Sequence, residues 1–310
     1  MGKIVFVVNP NAANGTAAAQ WPQIADMAQK RLGTFETLFT ERVGHAMELA
    51  RGAAAGGADL IVSVGGDGTM NEVANGLMNE DGTPVNPQIA VGQISIGTGG
   101  DFRKTTGLPK DIDAAFDWLV GDAVRPIDVG RMEMTGHDGE PQVRYFVNIA
   151  SAGIGGAVDE RVNMATKILG GFFSFFWGTI TAMLSFKNVP MRIVLDDERD
   201  LGERRVFSLA VANGRFFGGG MQMAPGADMS DGLFDVVIIG DVDWSEKLSQ
   251  LPRIYSGAHL GHEKVEIHRA KKVEAISDHT ALLDVDGEVP GRLPTTFTIC
   301  PGALKFKVKQ

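Results

Sequence analysis

The chain has 310 residues, 44% apolar and 22% charged, which leaves room for two globular domains and argues against disorder or low complexity. Lys and Arg number 29 against 38 Asp and Glu, a formal net charge of -9, which argues against a sequence-indifferent grip on nucleic acid, and an anionic small ligand would need a local site. Glycine is the outlier: 40 of 310 residues, about 13% against a usual ~7%, with no G-X-Y period, so these glycines serve turns and close backbone approaches rather than a collagen helix.

The N-terminal MGKIVFVVNPN is β-branched and runs into Asn9-Pro10 with no small-residue cleavage pattern, so it reads as a first strand and not a signal peptide. Buried strands are expected at 3–8, 34–40, 59–64 and 89–96, with helices near 17–32, 43–55, 69–79 and 111–120, the last capped by Asp111. This alternation predicts a doubly wound parallel sheet with helices on its faces. After about residue 125 the runs 127–134, 142–150, 190–196, 203–213, 233–240, 263–268, 271–277 and 281–286 read mostly as strands joined by turns such as His137-Asp138-Gly139 and Asp196-Asp197. The expectation is an α/β fold: an α/β domain over 1–125 and a mostly antiparallel β domain over 126–294. A helix is expected near 244–258, and 295–310 is free to return to the first domain.

Between Lys167 and Lys187 lie nineteen uncharged residues, near the ~20 that cross a bilayer, but Gly, Ser and Thr dilute them and no second span accompanies them. A buried or groove-lining helix within 157–186 is expected instead of a transmembrane span. Its aromatics Phe172, Phe173, Phe175, Phe176 and Trp177 crowd into six positions, too many for one stripe, so some face outward. Lys167, Lys187, Arg161 and Arg192 flank the segment. Cys300 is the only cysteine, which rules out an intrachain disulfide and a thiolate cluster and fits a reducing compartment.

The most informative segment is Val64-Gly65-Gly66-Asp67-Gly68-Thr69-Met70-Asn71-Glu72. A strand stops on closely spaced glycines and a helix starts, so backbone N–H groups at the helix N-terminus can face phosphate. Asp67 would sit awkwardly beside phosphate unless it holds a cation or a donor, which favours a Mg²⁺-nucleotide over a bare anion. No G-x-x-x-x-G-K-[ST] occurs, and no G-x-G-x-x-G follows a strand. The loops 9–16 and 97–102 end strands on the same expected sheet edge, where open parallel sheets bind ligands. His259 and His262 lack a carboxylate partner or an HExxH context and read as surface histidines. Ser151 lacks a G-x-S-x-G elbow.

In order along the chain, GGDGT at 65–69, Asn9-Pro10, Thr40 ahead of His45-Ala46, GTGGDF at 97–102, NGRFFGGGMQMAPGADMSDGLFDV at 213–236 and Asp286-Gly287-Glu288 resemble the diacylglycerol kinase catalytic family, in particular its soluble bacterial lipid kinases, related to sphingosine and ceramide kinases. The family reads GTGND where this chain has Gly100. The resemblance implies ATP and Mg²⁺ as cofactors. Gly65, Gly66, Asp67, Gly68, Thr69, Met70 and Asn71 would cradle the phosphates, with Asn9, Thr40 and Thr98 as further nucleotide contacts. It makes Glu288 the candidate general base beside Asp286 and Asp67 in the catalytic set, and Asp228, Asp231 and Leu233 a metal loop, the first and last through carbonyls. By themselves, Asp286-Gly287 reads as a hairpin turn and 228–232 as an ordinary turn.

Phosphoryl transfer needs positioning, charge neutralisation and a carboxylate to take the proton of the attacking hydroxyl, which these residue types supply. The expected activity is transfer of the γ-phosphoryl group of ATP to a hydroxyl of diacylglycerol or a related lipid. A lipid substrate reached at a membrane surface would be the partner, and a homodimer is compatible. The expected location is cytoplasmic, with the inner membrane face within reach. An NAD kinase-like enzyme with a soluble acceptor and a non-catalytic nucleotide-dependent lipid sensor remain alternatives.

Overall fold

The structure, a computed structural model, describes residues 2–97, 99–154 and 186–309. Strands β1 (Ile4–Val8), β2 (Glu36–Phe39), β3 (Leu60–Gly65) and β4 (Ala90–Ser95) pair in parallel in the order β2-β1-β3-β4. Alternate residues of these strands face opposite cores. Ile4, Phe6, Val8, Val62 and Val64 pack against α1 (Thr16–Leu32) and α5 (Ile112–Val120). Val5, Val7, Ile61 and Val91 pack against α2 (His45–Ala55) and α3 (Asp67–Gly76). Both faces of β1, β3 and β4 are thus covered, which is why these strands read as buried runs, whereas β2, expected as a buried strand within 34–40, is an edge strand with Glu36 and Phe39 exposed. Asp111 caps α5 by accepting from Ala114 N–H at 2.9 Å, as the sequence expects. A short helix, α4 (Asp101–Thr106), follows the loop after β4; the sequence reading treats these residues only as a loop.

The long strand β15 (Gly291–Lys307) runs antiparallel to β5 (Val124–Gly136), and its Lys305 and Phe306 lie parallel to Ala90 and Val91 of β4. Among the described residues the first sheet therefore continues without a break into ten strands, adding β6 (Pro141–Phe146), β8 (Val189–Leu195), β9 (Arg199–Val206) and β13 (Lys272–Ile276). The second sheet is antiparallel, in the order β12-β11-β10-β7-β14, from β7 (Ile149–Gly153), β10 (Ser208–Ala212), β11 (Phe234–Ile239), β12 (Val265–Ala270) and β14 (Leu283–Val285).

The runs 142–150 and 203–213, each expected as one strand, divide between the two sheets: β6 passes to β7 across Val147-Asn148, and β9 to β10 across Phe207. The core between the sheets centres on Phe146, stacked on Phe234 at 5.6 Å and edge-on to Phe297 at 6.2 Å. Gly130 is required beneath it, because a Cβ there would lie 2.1 Å from the Phe146 ring.

Helix α6 (Trp244–Ile254) begins with a capping box formed by Asp243 and Glu246. His259 is 1% exposed and contacts the Met223 carbonyl at 3.2 Å, so it is a core histidine rather than a surface one. The aromatic stretch within 168–186 lies outside the described residues except for Phe186, which packs edge-on to Phe207 at 6.0 Å. No helix among the described residues is long and apolar enough to cross a membrane.

Phe146→Ala should cost about 3–5 kcal/mol of stability by urea denaturation; a loss below about 1 kcal/mol would mean the inter-sheet core does not rest on this ring.

Candidate active site

The strand order places a switch point between β1 and β3, since the chain moves outward to β2 after α1 and to the other side after α3. Such points leave a crevice outside the carboxyl ends of the strands. Asn9, Thr40 and the Gly65–Thr69 turn gather there. Asn9 N–H donates to the Val64 carbonyl at 3.0 Å, and its side-chain amide reaches the Thr69 hydroxyl at 3.2 Å. Thr40, buried at the end of β2, donates its N–H to the Val8 carbonyl at 2.9 Å. Gly65 has to be glycine, because a Cβ would lie 2.4 Å from Thr69 Oγ1. Thr98 lies outside the described residues.

Helix α3 starts from Gly66 with no side-chain cap. Its first-turn N–H groups have no partner within the helix, and the helix dipole makes this end a favourable seat for an anion. Above Gly66 and Gly68 the nearest atoms to an added Cβ are 4.0 and 3.9 Å away, so there is room for close approach, whereas at Gly97 a Cβ would lie 3.1 Å from Gly66 Cα. Met70 points the other way, into the core beneath the helix, so its side chain does not reach the crevice.

Asp67 does not face outward as a free carboxylate. It accepts from Asp101 N–H at 2.9 Å and Phe102 N–H at 3.2 Å, capping α4 from another loop. Gly100 adopts φ +62° at the start of that helix. It supplies the left-handed turn, while Asp67 satisfies the helix end. Burial pushes the Asp67 pKa up, opposed by the two N–H donors. Asp101 in turn accepts from Gly219 N–H at 2.7 Å and Lys104 Nζ at 3.0 Å, joining this loop to the glycine-rich 218–220 turn.

Asp286 and Gly287 form the two-residue turn after β14 with φ of +50° and +91°, and Val285 and Glu288 exchange backbone hydrogen bonds across it at 2.8 and 3.0 Å. The Asp286 side chain closes the β6–β7 corner. Its Oδ1 accepts from Ile149 N–H (2.9 Å) and Asn148 N–H (3.2 Å), and its Oδ2 from Val147 N–H (2.9 Å) and Asn71 Nδ2 (2.7 Å). Burial pushes this carboxyl up to about 6, against the pull of those donors. The same turn brings Glu288 to α3: its Oε1 is 3.9 Å from where a Cβ on Gly68 would sit. Although Glu288 as a residue is exposed, partial desolvation by the surrounding walls and repulsion from Glu72 and Asp286 raise its pKa, while Arg144 on β6 lowers it.

Asp228, Asp231 and Leu233 lie in one turn away from the β14 hairpin. Asp228 accepts from Ser230 N–H (3.0 Å) and its hydroxyl (2.7 Å), and Asp231 accepts from Leu233 N–H at 3.0 Å and pairs with Arg269. Beside them the buried Asp128 accepts from Gly232 and Gly302 N–H, both at 2.7 Å. Burial, then repulsion from Asp231 and Asp228, pushes the Asp128 pKa up. No group of three or more His, Cys, Asp or Glu side chains among the described residues could hold a metal, so carbonyl oxygens would have to supply most ligands of an ion here.

The sequence reading does not assign roles to Asp101, Arg144, Asn148 and Asp128. Asp101 stands within the GTGGDF run, and a buried acid in a glycine loop is a usable signal. Arg144 sits in an alternating strand pattern and carries none.

A crevice at a switch point, an uncapped helix N-terminus and a carboxylate facing it make an α/β site suited to an anionic ligand. The family profile of the diacylglycerol kinase catalytic domain matches residues 3–132, and that of the YegS C-terminal NAD kinase beta sandwich-like domain matches residues 148–308. A diacylglycerol kinase of Staphylococcus haemolyticus is 31% identical over 94% of this chain and 84% of that protein. One of Bacillus subtilis is 28% identical over 96% and 93%. The solved structure of a diacylglycerol kinase from Bacillus anthracis superposes with a TM-score of 0.71 at 20% identity, over 99% of this chain and 96% of that one, which is a likeness of fold. The chain belongs to the diacylglycerol kinase family and is a lipid kinase, a phosphotransferase.

Asp67→Ala should leave the N–H groups of Asp101 and Phe102 without their acceptor and lower stability by about 1–3 kcal/mol, with faster amide exchange at those two positions. Unchanged exchange there would show that Asp67 does not hold the loop.

Proposed function

We propose that the protein transfers the γ-phosphoryl group of ATP, with Mg²⁺, to a hydroxyl of diacylglycerol or a related lipid. The observation that carries this reading is the juxtaposition of the uncapped α3 N-terminus with the Glu288 carboxylate, across the open side of Gly68. The names of the relatives support the lipid acceptor.

Bound at the α3 end, Mg²⁺-ATP supplies the phosphoryl group and the charge neutralisation that its transfer needs. The chain does the rest by position. Gly66 and Gly68 let backbone N–H groups approach phosphate oxygens that a side chain would hold off, and Gly65 leaves room for Thr69. Asp67 keeps the 97–102 loop against them, and Asn9 and Thr40 form the neighbouring walls. Glu288 accepts the proton of the acceptor hydroxyl. Its raised pKa makes it a better proton acceptor than an ordinary glutamate, and Arg144 limits the rise. The turn at 228–233 is the proposed seat of a structural Mg²⁺ held by Asp231 and the carbonyls of Asp228 and Leu233, with Asp231 exchanging its Arg269 partner for the ion. Action at the inner membrane face from the cytoplasm belongs to the same proposal.

Glu288→Gln should keep affinity for a non-hydrolysable ATP analogue within about twofold and lose about 10²–10⁴ in kcat; full activity would remove Glu288 as base. In the wild type, the acid limb of kcat/KM should lie above the ordinary carboxylate range, because activity falls as pH drops through the raised pKa values of Glu288 and Asp286. It should be steeper than a single-proton titration, since both groups act ionised. A limb centred near 4 would contradict this. Phosphate transfer from labelled ATP to diacylglycerol micelles, and not to NAD, is the expected acceptor result.

A further inference from the structure

Asn71 stands inside the glycine-rich segment proposed to meet phosphate, yet its side chain has no hydrogen left to give a phosphate oxygen. The residue is buried, 6% exposed. Its Nδ2 donates to Asp286 Oδ2 at 2.7 Å and to the Tyr145 carbonyl at 3.0 Å, and its Oδ1 accepts from Asn75 Nδ2 at 3.0 Å. Both amide hydrogens are therefore committed, and the oxygen keeps one of its two acceptor positions. One turn further along α3, Asn75 repeats the contact from the same helix face: its Nδ2 donates to the Tyr145 carbonyl at 2.8 Å, and its Oδ1 accepts from Tyr145 N–H at 2.9 Å. Helix α3 is thus pinned to β6 by a pair of asparagines. Only Asn71 continues the tie across to the turn that carries Glu288.

We propose that Asn71 is a positioning residue: its amide locks the phosphate-side helix to Asp286 and thereby sets where the Glu288 carboxylate stands relative to the N-terminus of α3. The proposal rests on the reading of Glu288 as the proton acceptor. Asp286 has four donors and no proton to give, so it is held as an anion, and Asn71 is its only side-chain donor among the described residues. The other three donors are backbone groups of one corner, which fix the carboxylate to the second sheet. Asn71 alone fixes it to α3. The charged groups facing this assembly are Glu72, Glu288 and Arg144 at the rim and Asp67 from the glycine turn.

The test is the variant Asn71→Ala, with Asn71→Ser as the milder change should alanine not fold. The readouts are steady-state kinetics, affinity for a non-hydrolysable Mg²⁺-ATP analogue, and hydrogen–deuterium exchange over 284–289. The expected result is a kcat at least about tenfold lower, as misplacement of a reacting group predicts, with analogue affinity and lipid KM within about twofold. Amide exchange should quicken at Gly287 and Glu288, and the acid limb of the rate profile should move to higher pH because Asp286 has lost a donor that favours its anion. Wild-type kcat with unchanged exchange would overturn the proposal. So would a loss of analogue affinity matching the loss of kcat, which would make Asn71 a nucleotide contact. Should Glu288→Gln prove fully active, the base reading fails by itself, and the exchange data on Asn71→Ser still report whether the tie holds the turn.

Discussion

The constraint on which the site depends is the corner where the chain leaves one sheet for the other. A strand that changes sheets breaks its ladder, and the N–H groups of Val147, Asn148 and Ile149 at that break need an acceptor, since buried backbone donors are almost never left unpaired. A single carboxylate, Asp286, takes all three. Hydrogen bonds to a charged acceptor are each worth about 1.5–3 kcal/mol, so the corner and the turn hold each other. The other corner residues reinforce it: Asn148 accepts from the Thr105 hydroxyl at 3.1 Å, and Asn213 donates to the Asp128 and Val147 carbonyls at 2.9 and 2.8 Å. Glu288, two residues past Asp286, has its place fixed as a consequence.

The electrostatics follow from the same packing. Asp67, Asp286 and Glu288 all have pKa values raised chiefly by desolvation, through burial for the first two and through the surrounding walls for the exposed Glu288, and each adds to the charge its neighbours feel. A cleft lined this way repels anions through its side chains. The proposed attraction for phosphate lies in the α3 dipole and the N–H groups that glycine leaves accessible. The net charge of -9 and the proposed anionic ligand are compatible because the attraction would be carried by backbone.

The alternation of strand and helix up to Val120 is legible in the sequence because every buried strand there is short, β-branched and bounded by turn residues. So is the GGDGT turn, since only a close backbone approach requires that many glycines. What periodicity does not say is which sheet a strand joins. Residues 142–150 alternate as one strand, and nothing local marks the corner at Val147-Asn148. The role of Asp67 as the cap of α4, and of Asn71 as a tie to Asp286, depends on partners 34 and 215 positions away. Asp286-Gly287 is both the hairpin turn that its residues suggest and the anchor of Glu288; the first is local chemistry, the second is visible only once the two sheets are assembled.

The most direct measurement is a crystal structure with a non-hydrolysable ATP analogue and Mg²⁺. The account predicts the terminal phosphate at the N-terminus of α3 against the Gly66 and Gly68 amides, with the Glu288 carboxylate on its open side and the Asp286 hydrogen bonds intact. A nucleotide seated elsewhere, or a terminal phosphate with Glu288 turned away from it, would contradict it.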